Sequence, residues 1–305
     1  MLRITREDLG IFARGVLMGA ADVVPGISGG TIALIVGIYP RLILALGAFD
    51  GELLRLAVRR DFAGAARRVD LRFLAALGSG IALAILTLAK AVTWLILNKP
   101  VTTWSLFFGL ILGSTVLVIG LVGRWNASRV LAAGAGAALA YWICGLLPGE
   151  TGGGLLALFA SAMIAISAMI LPGISGAFVL VLLGKYRLVL EALHQRDFVV
   201  IAVFCAGCAI GLIAFTKLLR ALLARWEGAT MAFLCGLMAG SLRKIWPFKM
   251  DAAGQELLEA KRRIQLNFVP DALDATALWA LALAVAGVLL VIGIEKLGRR
   301  PRESQ

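Results

Sequence analysis

The chain reads as an all-α polytopic membrane protein made of two inverted repeats, each an interrupted, re-entrant helical hairpin with a PGISG tip followed by three transmembrane helices. Three observations predict this class. Of 305 residues, 61% are hydrophobic and only 16% charged, at a mean hydropathy of +0.94, whereas soluble domains carry about a quarter of their residues as charge and rarely expose large apolar patches. Several apolar runs reach the roughly 20 residues that a helix needs to cross a bilayer. Finally, Pro25-Gly26-Ile27-Ser28-Gly29 recurs as Pro172-Gly173-Ile174-Ser175-Gly176.

The flanks recur with the pentapeptide. At the same offset of 147 residues Phe12 matches Phe159, Gly37 matches Gly184, Tyr39 matches Tyr186 and Asp50 matches Asp197. At an offset of 127, Gly80 matches Gly207, Lys90 matches Lys217, Gly109 matches Gly236 and Gly113-Ser114 matches Gly240-Ser241. The offsets differ by 20 residues, so the first copy carries an insertion between Asp50 and Phe73.

The first repeat, 1–150, starts with a broken apolar pair at 9–47. Proline removes a backbone donor and disfavours helix in the residue before it, so Val24 ends one helix and a second begins near Gly30. The insertion, 50–72, is read as a basic loop because it holds Arg55, Arg59, Arg60, Arg67, Arg68 and Arg72. Continuous spans follow at 73–97, 103–121 and 130–147. The second repeat, 151–305, has its broken pair at 154–193 with Leu171 before the proline, then spans at 198–223, 229–246 and 276–296, with a polar connection at 249–275. A hairpin contributes an even number of crossings and three spans make the total odd, so the halves take opposite orientations, as in many transporters.

The net charge of +12 is read as cytoplasmic loops beside anionic lipid, not as nucleic-acid binding, because the basic residues lie between apolar spans without a groove-reading module. A cytoplasmic N-terminus puts the insertion, Arg124 to Arg129, Arg225 and the tail Lys296 to Arg302 inside, and Lys99 and Glu150 outside. One segment fits poorly: 243–275 falls outside yet contains Arg243, Lys244, Lys249, Lys261, Arg262 and Arg263, nearly balanced by Asp251, Glu256, Glu259, Asp271 and Asp274. The charged N-terminus, followed by Arg14 and Asp22, does not read as a cleavable signal peptide. Cys205 and Cys208 stand in a CxxC spacing, but with His194 the only histidine they read as helix-packing residues and neither metal nor cofactor is expected.

The two tips are the candidate site. Unwound backbone at membrane depth is tolerable only where it lines a cavity or is buried in protein, and a helix restarting after it presents N–H groups and a positive dipole end that favour an anion. Gly26, Ile27, Ser28, Gly29, Gly30 and Thr31, with Gly173, Ile174, Ser175 and Gly176, are therefore the candidate phosphate or carboxylate ligands. Arg14, Asp22, Lys90 and Lys217 are ionisable groups in apolar stretches, where charge is costly and by default functional. Asp22 is a candidate to pair with Arg14, to order the turn or to take a proton; Met169 replaces it in the second copy. Lys90 and Lys217 either meet an anionic head group or snorkel. Arg41 and Arg187, close after Tyr39 and Tyr186, either contact phosphate bidentately or form a basic and aromatic belt. Gly109 to Gly113, and Gly236 to Gly240, put small residues four apart for close helix crossing.

At these residues, from Gly19 to Thr31 with Tyr39 and from Met169 to Gly176 with Gly184 and Tyr186, the chain resembles the bacterial polyprenyl-phosphate transporter family over nearly its whole length. The resemblance implies translocation of undecaprenyl phosphate from the outer to the cytoplasmic leaflet of the bacterial inner membrane, recycling the lipid carrier of cell-wall synthesis, with polyprenyl phosphate and membrane lipids as its partners. Ala177, where Ser is expected from the family, removes one hydroxyl near the second tip. Two other functions share parts of the pattern. An ion-coupled transporter or channel for a small soluble anion would use the same tips but needs a closed aqueous path. A phosphatase would need at least two histidines or clustered carboxylates for a metal, and the apolar segments hold little beyond Asp22.

Overall fold

A computed structural model describes residues 5–23, 28–149, 151–251, 265–272 and 274–298. Helix α1 (Arg6–Asp22) opens on a capping box: the Asp8 backbone N–H donates to Thr5 Oγ1 at 3.3 Å, and the Thr5 N–H donates to Asp8 Oδ2 at 2.7 Å, so two orphan donors are satisfied reciprocally. After the break come α2 (Gly29–Ile35) and α3 (Tyr39–Gly47). The second half repeats the series with α9 (Leu155–Ile170), α10 (Gly176–Leu182) and α11 (Tyr186–Gln195). Between the short helix and its successor, Gly37 and Gly184 take φ of +72° and +68°, a left-handed conformation that costs glycine least.

The insertion is not the loop that its arginines suggest. It folds into α4 (Gly51–Val58) and α5 (Phe62–Arg68), started by the carboxylates of Asp50 and Asp61, which accept the N–H groups of Leu53 and Gly64. Such caps satisfy donors that a short helix otherwise leaves open, and Arg68 returns to Asp50 at 2.6 Å to clip the two helices together.

Long helices complete the bundle: α6 (Leu71–Asn98), α7 (Pro100–Leu121), α8 (Ala127–Gly145), α12 (Phe198–Ser241) and α13 (Ala275–Gly298). The spans predicted at 198–223 and 229–246 fall in the single run α12, broken at Trp226, where φ is −139° and ψ 51°. Its repeat mate Lys99, between α6 and α7, has φ −136° and ψ 56°. The turn is the same in both halves, but Pro100 separates α6 from α7, whereas Trp226 is followed by Glu227, which keeps its N–H. Among the described residues five helices are apolar and long enough to cross a membrane, and the stretch Phe198–Ile245, at 48 residues, would span roughly 70 Å if straight, enough to cross twice. The chain is thus an all-α multi-pass membrane protein. After a 3-10 turn (Leu242–Ile245), β1 (Lys249–Asp251) and β2 (Gln265–Asn267) pair antiparallel within the polar connection; Glu256, Glu259 and Lys261 to Arg263 lie outside the described residues, as do Glu150 and the tail beyond Gly298.

Glycines set the helix pairs, and the pairs recur. Gly80 of α6 packs on Phe12 of α1, and their mates Gly207 and Phe159 pack α12 on α9. In α7, Gly109 meets Ala284 and Leu106 meets Gly287 of α13; the mates Gly236 and Phe233 of α12 meet Ala133 and Gly136 of α8. Each half therefore contributes its second span to the other half's third. The buried core lies around both tips, where Ala33, Tyr39, Ile170, Ile174, Leu234, Leu237 and Met238 pack together.

Candidate functional site

The described part of the first tip is held from within. Asp22, the last residue of α1, accepts the Gly29 N–H at 2.6 Å, and Ser28 Oγ accepts that of Gly30 at 3.2 Å. Asp22 therefore orders the turn. It does not pair with Arg14, because eight residues of α-helix hold them roughly 12 Å apart along the axis. Pro25, Gly26 and Ile27 lie outside the described residues.

Across the repeat, the hydroxyls tie one tip to the other. Ser28 Oγ donates to the Met169 carbonyl at 2.9 Å, Thr31 Oγ1 accepts the Gly173 N–H at 3.0 Å, and Tyr39 OH donates to the Ile170 carbonyl at 3.3 Å. Ser28 and Thr31 are each 1% exposed, so these bonds satisfy polar groups that have no access to water. Gly173 has φ +93°, and a Cβ there would lie 3.0 Å from Met238 Cα, so backbone conformation and the close approach of α12 both demand glycine. Ile174 is buried in the shared core. Ser175 caps α10 by position but makes no side-chain capping bond. The sequence pattern nominates the Gly29, Gly30, Ser28 and Thr31 donors for an anion; the structure commits the Gly29 and Gly30 N–H groups within the first tip and the Ser28 and Thr31 hydroxyls across to the second.

A cleft leads to this junction. One cavity of about 330 Å³ is lined by Arg14, Val36, Gly37, Leu117 and Glu295. A second, of about 220 Å³, shares Leu17, Ile35, Val36 and Ile294 with it and reaches Thr31, Phe107, Ile111 and Ser114. The walls come from α1, α2, α6, α7 and α13 and are almost wholly apolar beyond Arg14 and Glu295. Among the described residues Arg14 makes no ion pair.

The other predicted cations go elsewhere. Lys90 and Lys217 are exposed on the outer faces of α6 and α12 and line neither cavity. Arg41 is engaged by Glu7 at 2.9 Å and Asp70 at 2.7 Å and stacks on Phe73; this also brings the end of the first hairpin back to its beginning. Arg187 is exposed beside Glu191. Sequence reasoning passed over Lys244 and Lys249 as mere loop charge. Lys244 Nζ lies 4.6 Å from the ring centroid of Phe178 on α10, and Lys249 Nζ lies 4.1 Å from that of Trp104. Cys208 packs against the Ala162 carbonyl of α9, and among the described residues no three potential metal ligands cluster.

Five membrane-long helices among the described residues, packed around an apolar cleft, define a polytopic membrane protein. The family model described as undecaprenyl phosphate translocase-like matches residues 18–261, and the chain belongs to that family. It is 39% identical over 304 residues to a polyprenyl-phosphate transporter of Vibrio cholerae serotype O1, covering 97% of this chain and 99% of the relative. It is 29% identical to a polyprenyl-phosphate transporter of Staphylococcus aureus over 77% of this chain and 84% of the relative. No solved structure matches the chain.

Proposed function

We propose that the chain moves undecaprenyl phosphate, or a closely related polyprenyl phosphate, between the leaflets of the bacterial cytoplasmic membrane by alternating access of two inverted repeats. The observation that carries this reading is the cleft: an apolar groove lined by Arg14, which makes no ion pair among the described residues, and by Glu295, leading to the two tips joined by Thr31 and Gly173. A prenyl phosphate has matching parts, an apolar chain for the groove and an anion for the guanidinium and, beyond it, the tips. The reciprocal pairing of α7 with α13 and of α12 with α8 supports inverted repeats, since each half supplies the same surface to the other. Ion pairs joining Glu7 to Arg41, and Lys185 Nζ donating to the Thr151 and Gly152 carbonyls at 2.9 and 2.8 Å, support hairpins that return to the end they left.

Arg14 and the arginine-bearing α4 and α5 mark the cytoplasmic end. In this conformation the cleft opens there while the tips are locked together, so the release of Ser28, Thr31 and Gly173 from one another would free donors for the phosphate during transit. The lining of the cleft favours a lipid over a small soluble anion, which would need a hydrated path, and moving a lipid between leaflets calls for no covalent step. The test is reconstitution of the full chain in liposomes with labelled undecaprenyl phosphate, following exposure of the label in each leaflet. The wild type accelerates exchange between leaflets and Arg14→Gln slows it at least about tenfold; lipid exposure no faster than in empty liposomes sinks the reading.

A further inference from the structure

The two repeat offsets map the Arg14 cavity onto a second place in the molecule. Leu117 becomes Lys244, and Thr31 of the adjoining second cavity becomes Phe178, while a third offset of 151 residues, which relates α8 to α13, turns Glu295 into Cys144, and Arg14 itself becomes Ser161. The cation has moved from α1 in the first half to the 3-10 turn after α12 in the second, and the carboxylate has become a thiol. The counterpart positions thus keep a positive charge and lack the carboxylate.

The structure assembles more cations there. Lys249 Nζ donates to the Lys244 carbonyl at 2.7 Å and lies on Trp104, and Lys244 lies on Phe178, three residues after Ser175 of the second tip. Arg243 lies 4.2 Å over the Tyr141 ring and donates to the Tyr141 carbonyl at 3.0 Å. Hydrogen bonds from Asn267 to the Arg243 carbonyl at 2.7 Å and from Trp246 to the Phe268 carbonyl at 2.8 Å hold the β1–β2 ribbon against this cluster. Both lysines are half-buried, and among the described residues none of the three cations pairs with a carboxylate. Burial and the neighbouring Lys244 push the Lys249 ammonium down to about 7. Like charges taken from water are costly, and the aromatic faces, the only partners of the two ammonium groups besides backbone carbonyls among the described residues, offset only part of that cost. An incoming anion would relieve it.

We infer that Lys244 and Lys249, with Arg243 at their rim, form a second phosphate-monoester site at the end of the molecule opposite Arg14, receiving the head group of a prenyl phosphate from the other leaflet. The site rests on the transport reading for its lipid source, and on its own geometry for its chemistry. It also accounts for the basic charge at 243–249 that opposes the positive-inside pattern: those residues mark an end where an anion is taken up, not a cytoplasmic loop.

The test uses the full chain in detergent micelles and measures quenching of intrinsic tryptophan fluorescence by undecaprenyl phosphate, by undecaprenol lacking the phosphate, and by inorganic phosphate. In an Arg14→Gln background, which removes the cation of the first cleft, the phosphate lipid binds tighter than undecaprenol; adding Lys244→Gln with Lys249→Gln lowers its affinity at least about tenfold, towards that for undecaprenol; adding Lys244→Arg with Lys249→Arg instead, folded and charged, retains it; and adding Lys90→Gln, on the outer face of α6, leaves it unchanged. Unaltered affinity in a folded Gln double variant overturns the site, and inorganic phosphate binding as tightly as the lipid overturns the lipid source. Failure of the transport reading is separate: binding that depends on both lysines, without exchange between leaflets in liposomes, leaves the site standing and removes the flippase.

Discussion

Asp22 illustrates how one side chain joins sequence, local structure and mechanism. The first N–H groups of α2 have no partners within that helix, and Asp22 supplies an acceptor for that of Gly29. Removing the acceptor with Asp22→Ala is expected to destabilise the tip by roughly 1–3 kcal/mol, the range for hydrogen bonds to charged groups, read as a lower thermal midpoint in detergent, whereas Asp22→Asn keeps an acceptor and stays closer to wild type. The same pair tests proton coupling: if a proton rides on Asp22, the Asn variant folds but no longer responds to an imposed pH gradient, and a retained response excludes that role. Ser28→Ala removes the bond to Met169 as well as the cap of Gly30. It is expected to loosen the tip-to-tip junction, seen as faster amide exchange at Gly30 and Gly173.

Among elements, the glycine-lined helix pairs carry the architecture. A Cβ at Gly109 would collide with the Ala284 carbonyl, and one at Gly236 with that of Ala133, so Gly109→Ala and Gly236→Ala are each expected to cost about 1–3 kcal/mol by overpacking, with lower thermal midpoints in both. Small residues four apart announced these contacts; which helices would meet was not legible, because small residues mark a face without naming its partner. The α4–α5 pair makes a pH-dependent prediction. The Arg68 guanidinium holds the Asp50 carboxyl down at about 2, below its ordinary value of 3.8, so its contribution is fully present above about pH 4 and lost as pH falls through about 2. Amide exchange across Gly51–Val58 should accelerate over that window, and the Asp50→Asn variant should lose most of the pH dependence.

At the scale of the whole molecule the order of helices recurs, α1–α3 matching α9–α11, and Ser28, Thr31 and Tyr39 of the first series bond to Met169, Gly173 and Ile170 of the second. Opposed orientation of the halves predicts that, in a background lacking Cys144, Cys205, Cys208 and Cys235, a membrane-impermeant thiol reagent modifies Asn98→Cys from one side only and its repeat mate Arg225→Cys, at the corresponding turn of the second half, from the other. Labelling of both from the same side overturns the inverted arrangement. At this scale charge patterns alone mislead. Lys90 and Lys217 recur in both copies and invite a shared role, yet both face outward, because α6 and α12 are apolar around much of their circumference and their pattern does not reveal which face turns inward. Lys244 and Lys249, divided between a helix end and a strand, come together only when the ribbon folds back over Trp104.

What the amino-acid sequence determined by itself was local or periodic: apolar runs of membrane length, two prolines that stop helices, glycines where helices cross, and a duplicated order of elements. Each depends on neighbouring residues or on internal repetition, both of which a linear string records. Only the tertiary structure decided that Ser28 and Thr31 bind the opposite tip, that Arg14 alone of the predicted cations faces the cleft, and that Lys244 and Lys249 come together on Phe178 and Trp104. Those outcomes depend on which faces meet across more than a hundred residues of chain, and in lipid such choices come from close packing and polar satisfaction, because hydrophobicity no longer distinguishes inside from outside.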